Sequence, residues 1–159
     1  MASEIERKFR LAGRPSWLRA APSRRIEQGY LAVSEDGVEV RIRRAGAATT
    51  LTVKSGSGLV RVEEELEIDG RRFDALWPLT EGRRVVKTRH LVPLPGGLTA
   101  EVDEYAGALQ GLWTAEVEFD SENASGAFAP PDWLGDEVTG DGRFANRTLA
   151  LAAAPPPRG

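Results

Sequence analysis

Charged side chains recur at every second position along much of this chain. The segment "EIERKF" sets Glu4, Glu6 and Lys8 two residues apart, interleaved with Ile5 and Phe9. The same spacing returns in Gln28 and Tyr30, in Glu39, Arg41 and Arg43, at Lys54, and in Arg61, Glu63, Glu65 and Glu67. It continues in Lys87 and Arg89, in Glu101 and Asp103, and in Glu116 and Glu118. Carboxylates that share one space repel one another and stay ionised only when a cation neutralises them. A hard divalent ion, Mg2+ or Mn2+, suits all-oxygen ligation and also binds phosphates. Arginine and lysine supply the complement to a linear polyanion, the first by its bidentate fork and the second as a point charge. Acids for metal beside bases for phosphate describe a phosphoanhydride site, with Glu4 and Glu6 on the metal and Lys8 on phosphate.

Period-two alternation implies strands to carry these residues, because a strand sends successive side chains to opposite faces. Strands are expected near 3–10, 25–34, 37–44, 49–54, 60–68, 84–92, 98–105 and 113–120, with turn chemistry in "SEDG", "AGAA", "SGSG" and "PGG". The opposite face collects Ile5, Phe9, Leu31, Val33, Val38, Val40, Ile42, Leu51, Val53, Val62, Leu66, Val86, Val102, Val117 and Phe119. Short helices are expected at 71–82, at 121–128 behind an Ser121 cap, and at about 143–153. One charged and one apolar face is what a half-solvated sheet shows. Here the polar face is almost wholly ionic, and its basic and acidic residues are grouped. If the sheet closes, the apolar face points outward under the helices and the charges line a lumen. The expected fold is α+β, mainly β: an eight-stranded antiparallel closed barrel with a charged lumen and a few short helices outside. So many enclosed charges are costly unless water, metal and a charged ligand compensate them.

The 159 residues, with a net charge of −3 and no cysteine, read as one domain over 1–154 with a disordered tail at 155–159. The charge balance gives no basic field for nucleic acid or a membrane surface. The lack of cysteine excludes disulfides and thiolate chemistry. No apolar run approaches a membrane span and the acidic start is not a signal peptide, so a cytoplasmic location is expected. "KSGSGL" is followed by a strand, so it reads as a hairpin and not as a phosphate loop capping a helix. The single histidine, His90, falls on the outward parity of its strand and reads as structural.

The ordered series "EIERKF", "QGYL", "VRIRR", "TVKSG", "RVEEELEI", "EGRRVVKTRH", "EVDEY" and "AEVEF" resembles the CYTH superfamily, the triphosphate tunnel metalloenzymes. The closing "EVTGDGRFANRTLA" is also similar to that family's last segment. The likeness spans almost the whole chain, and its short length resembles the small bacterial members that act on inorganic tripolyphosphate. It implies phosphate contacts from Lys8, Arg41, Arg43, Lys54, Lys87 and Arg89, and metal contacts from Glu4, Glu6, Glu116 and Glu118, with Asp103 a further ligand. It places Arg61, Glu63 and Glu65 in the tunnel wall, orienting bases or water, and Tyr30 as a tunnel tyrosine with a packing role equally open. Glu4, Glu6, Glu63, Glu65 and Lys87 are the expected catalytic group. The implied activity is metal-dependent hydrolysis of a terminal phosphoanhydride, tripolyphosphate yielding pyrophosphate and phosphate. Adenylate cyclisation, hydrolysis of thiamine or nucleoside triphosphates, and a non-catalytic polyphosphate-binding module are the alternatives. Apolar outer strands would give a homodimer its surface.

Overall fold

The computed structural model describes residues 5–55 and 62–159. Its elements in chain order are β1 (Ile5–Arg10), β2 (Ser23–Val33), β3 (Val38–Ala45), β4 (Ala48–Ser55), β5 (Glu63–Glu67) and α1 (Gly70–Leu76). They are followed by β6 (Arg84–Pro93), β7 (Thr99–Tyr105), β8 (Trp113–Phe119), α2 (Glu122–Ala127), β9 (Asp136–Glu137) and α3 (Asn146–Leu151). Each of the eight strands expected from alternation is present. The two-residue β9 is additional, too short to carry a periodic signal.

All strands join one antiparallel sheet in the order β5-β4-β3-β2-β6-β7-β8-β1-β9. Closure into an eight-stranded barrel, the sequence expectation, is not observed: the sheet has nine strands and two ends, β5 and β9. The edge of β1 that would have to receive β5 is already in use. Phe9 and Arg10 pair with Glu137 and Asp136, Val138 N–H donates to the Lys8 carbonyl, and Lys8 N–H donates to Thr139 Oγ1. A backbone group bonded in this way is no longer free to extend the ladder.

The register keeps the ionic residues on one face. Glu6 stands opposite Glu118, Lys8 opposite Glu116, Glu116 opposite Glu101 and Arg89 opposite Asp103. Arg41 stands opposite Tyr30 and Thr52, Arg43 opposite Gln28 and Thr50, and Lys54 opposite Glu63. A bulge between Tyr30 and Ala32 breaks this parity once. It brings Val33, expected on the apolar face, opposite Glu39 on the ionic one.

The main core lies on the other side of β1, β6, β7 and β8, where Phe9, Val92, Ala100, Val102, Ala115, Val117 and Phe119 pack together. Leu18 and Leu134 from short 3-10 turns cover this layer, with Trp17 and Trp133 edge-to-face at 4.8 Å and Phe128 against Phe119. Helix α1 and the turn Trp77–Thr80 cover β3 and β2. Its N-cap Asp69 accepts from Arg72 N–H, and Phe73 is buried beneath Arg44. The approach of that turn to β2 needs glycine at position 29. A Cβ there would lie 2.5–2.7 Å from three Thr80 side-chain atoms. Val53, Val62 and Leu66, on or beside β4 and β5, stay exposed.

Helix α3 departs from the expectation that every helix lies outside. Its Leu149 and Ala150, with Phe144, pack against Tyr30, Val85, Tyr105 and Leu112, side chains on the ionic side of the sheet. That side is therefore apolar at one end, where alternation delivers Val85 and Leu112 in line with the charges, and α3 buries those residues. The last five residues, read from sequence as a disordered tail, run beside β1. Arg10 donates to the Pro156 carbonyl, Arg158 donates to that of Leu11, and Pro156 is buried.

Candidate active site

Above the apolar end, the ionic face divides into three groups of side chains with different electrostatics. The first surrounds Asp103 on β7, which is 0% exposed. Both its oxygens are used: Arg89 donates Nε–H to Oδ1 at 2.8 Å and an Nη2 proton to Oδ2 at 2.9 Å, and Lys87 Nζ lies 2.8 Å from Oδ2. Burial alone would raise the Asp103 pKa, but the charge of Lys87 and the bonds from Arg89 hold it down at about 2. The same pairing keeps the Arg89 guanidinium charged: its desolvation is outweighed by Asp103 and then by Glu101, to which it is also paired. Lys87, fully buried beside the Tyr105 ring, is pulled below the usual lysine range by desolvation, against the opposing pull of Asp103.

The second group lies on β3 and β4. Arg41 and Arg43 are half-buried, and among the described residues neither forms an ion pair with a carboxylate. The Nε of each is buried without a hydrogen-bond partner among the described residues. Desolvation, then the charges of Arg89 and Arg41, lower the Arg43 pKa. Lys54 pairs with the exposed Glu63 at 3.6 Å, and Glu39 pairs with Arg147 of α3 at 3.4 Å. Arginines two apart on one strand face, with no carboxylate partner among the described residues, have donors of the kind that bind an anion.

The third group is acidic and lies across β7, β8 and β1. Lys8 Nζ is 3.4 Å from Glu116 and donates to the Phe144 carbonyl at 2.6 Å. Glu6 and Glu118 occupy directly opposed positions on one face, where like charges destabilise a strand pair unless a cation lies between them. Glu6, Glu116 and Glu118 are oxygen donors of the type that a hard divalent ion takes. Among the described residues, no three carboxylates or histidines are drawn together tightly enough to form a preassembled metal cluster.

Of the residues singled out from sequence, the structure joins Lys87, Arg89 and Asp103 in one network, pairs Lys8 with Glu116, and sets Tyr30, Arg41, Arg43 and Lys54 on the same face of β2, β3 and β4. Glu63 and Glu65 are exposed on β5, at the edge of the sheet. Glu4 and Arg61 lie outside the described residues. His90 is on the outer face as expected, buried, stacked on Trp113 and 4.0 Å from Glu104. Sequence reasoning gave no role to Gln28, which donates to Tyr30 Oη at 3.0 Å, to Tyr105, whose hydroxyl is bonded to Thr114, or to Arg147. Parity already placed Gln28 among the charges. The part played by Arg147 depends on where α3 docks, which no local pattern encodes.

No family model matches the chain. It is 50% identical to an inorganic triphosphatase of Nitrosomonas europaea over 151 residues, covering 94% of this chain and 98% of the relative. The chain belongs to the inorganic triphosphatase family. A second member, from Acetivibrio thermocellus, is 40% identical and is covered over 94% of both chains. A crystal structure of an inorganic triphosphatase matches with a TM-score of 0.79 and 45% identity, over 96% of this chain and 97% of that one. A Hippeastrum protein described as a proposed adenylyl cyclase with a dominant triphosphatase activity shares the fold, with a TM-score of 0.54 at 20% identity over 78% of this chain and 83% of that one. The CYTH resemblance read from the strand motifs is borne out by these relatives. No helix among the described residues is long and apolar enough to cross a membrane.

Proposed function

We propose that this inorganic triphosphatase hydrolyses tripolyphosphate to pyrophosphate and phosphate, and that the anion is held between the β3–β4 cations and the Lys87–Arg89 pair. The observation that carries this reading is the half-buried Arg41–Arg43 pair, which lacks a carboxylate counter-ion among the described residues. Internal neutralisation at Asp103 leaves Lys87 and Arg89 rigid. Arg41 and Arg43, with no carboxylate partner among the described residues, are left for the substrate. Glu6, Glu116 and Glu118, with Glu4, would hold Mg2+ or Mn2+, which when bound neutralises charge on the transferring phosphoryl group.

The remaining chemistry belongs to side chains of this chain. Water attacks the terminal phosphorus, a new P–O bond forms, the bridging P–O bond breaks, and pyrophosphate leaves with the bonding pair. A carboxylate on the β1–β8 side takes the proton of the attacking water. The bases hold the chain in line, so the rate comes from positioning and preorganised charge, with no covalent intermediate. Asp103 is assigned the orienting of Lys87 and Arg89, in place of the metal contact expected from sequence, because both its oxygens are already bonded. The exposed apolar strip of Val53, Val62 and Leu66 is the surface a homodimer would use.

The test is phosphate release by the purified chain from tripolyphosphate, pyrophosphate, ATP and thiamine triphosphate, with Mg2+, with Mn2+ and with EDTA. Metal-dependent turnover favouring tripolyphosphate is expected. Preferential turnover of an organic triphosphate, or binding of tripolyphosphate without release, would overturn the reading.

A further inference from the structure

Two kinds of neighbour face the cations of this site. Lys87 and Arg89 meet a carboxylate, Asp103, which they share, and Arg89 has a second one in Glu101. Arg41 and Arg43 meet the neutral polar side chains of β2: Tyr30 stands opposite Arg41, and Gln28 opposite Arg43. Gln28 is 1% exposed, in the middle of the ionic face. Its Nε2 donates to Tyr30 Oη at 3.0 Å, and Tyr30 in turn stands directly opposite Arg41. Its Oε1 is buried with no partner among the described residues, and so is the Nε of Arg43. The leftover acceptor and the leftover donor belong to directly opposed residues on adjacent strands, whose Cβ atoms lie within reach of each other on one face. The opposite amide orientation would turn an NH2 group toward a guanidinium and set donor against donor.

We propose that Gln28 is a positioning residue for substrate binding: a neutral amide that orients Arg43 and, through Tyr30, Arg41, without discharging either one. This rests on the reading of the site as a triphosphate site. A carboxylate at position 28 would orient the arginines as well or better, and it would also neutralise them. Neutral partners leave the folded protein with repulsion among Arg41, Arg43 and Arg89, which Asp103 offsets in part at Arg43 and an anionic ligand would relieve further. Affinity for the polyanion is thus obtained at the expense of stability of the empty protein.

The isosteric substitution Gln28→Glu separates orientation from charge, and Gln28→Leu removes the hydrogen bond to Tyr30 and the unpartnered amide oxygen while adding no charge beside the arginines. The readouts are the thermal midpoint of the metal-free protein, the upward shift of that midpoint with added tripolyphosphate, and KM and kcat with Mg2+. For Gln28→Glu, the empty protein should melt at or above the wild-type temperature. Its tripolyphosphate-induced shift should shrink, and KM should rise roughly tenfold or more, the weight of one charge-assisted contact, with kcat much less affected. Gln28→Leu should melt lower and raise KM less than Gln28→Glu does. A Gln28→Glu protein that melts below wild type, or that keeps the wild-type KM and ligand-induced shift, overturns the proposal. So does an equal KM for the two variants. The melting shift reads binding without turnover, so failure of wild-type hydrolysis would count against the proposed function and leave the test of Gln28 standing.

Discussion

Asp103→Asn probes the assignment of Asp103 as an internal counter-ion most directly. The substitution keeps the shape of the side chain, removes its charge and turns an NH2 toward Lys87 or Arg89. Lys87 is 1% exposed and Asp103 0%, so neither can be rehydrated without opening the sheet. Breaking a buried ion pair by removing one partner typically costs about 3–5 kcal/mol. The lower end applies here, because Arg89 keeps its second carboxylate, Glu101. The pH dependence gives an independent measure. Asp103 titrates at about 2 against an ordinary 3.8, worth about 2.5 kcal/mol of stability. A depressed folded-state pKa means that this stability is fully present above 3.8 and drains away as pH falls through about 2. Urea unfolding of EDTA-treated protein, followed by circular dichroism, should show the variant about 3 kcal/mol less stable at neutral pH. The gap should narrow by about 1 kcal/mol at pH 3, where the wild type has lost that share of its advantage. A metal ligand would behave otherwise. If EDTA-treated Asp103→Asn matches the wild type in stability, while the Mg2+ or Mn2+ needed for half-maximal turnover rises, the counter-ion assignment is refuted.

Arg41→Ala should lower tripolyphosphate turnover by about 100-fold or more, as removal of a preorganised charge does, while the melting temperature holds or rises, because Arg41 has no carboxylate to lose among the described residues. Retention of wild-type kcat/KM would contradict its role. Gly29→Ala should destabilise the protein by about 1–3 kcal/mol through overpacking against Thr80, and the double change with Thr80→Ser should recover part of that loss in thermal melts. His90 should make the protein acid-sensitive near neutrality. Burial lowers its pKa, against the pull of Glu104, with Arg14 adding to the burial effect. The unfolded chain therefore binds the proton first, and stability falls as pH drops below 6.5 toward the folded-state value. His90→Phe should flatten that part of the curve, and an unchanged slope between pH 7 and pH 5 would assign it to another group.

What the sequence made legible was whatever a single strand can encode. Alternation placed all eight long strands and sorted Lys8, Arg41, Arg43, Lys87, Arg89, Asp103 and Glu116 onto one face, because side-chain direction depends only on the count along the chain. Three features lay beyond it, and each is a property of pairing. Whether the sheet closes was decided by residues 136–139, which take the free edge of β1 from the far end of the chain and show no periodic signature of their own. That the ionic face ends in a patch of Val85, Leu112 and Leu149 depends on α3 docking there instead of outside. The pairing of Asp103 depends on register: it stands opposite Arg89 and in contact with Lys87, whereas two residues along the same strand Glu101 stands opposite Glu116 and reaches Arg89 alone among the described cations. Parity groups charges by face and is blind to which of them cancel. In a site built to hold a polyanion, that cancellation sets the function. On the proposed reading, the cations that share Asp103 form the fixed wall, and those facing Gln28, Tyr30, Thr50 and Thr52 are left for the substrate.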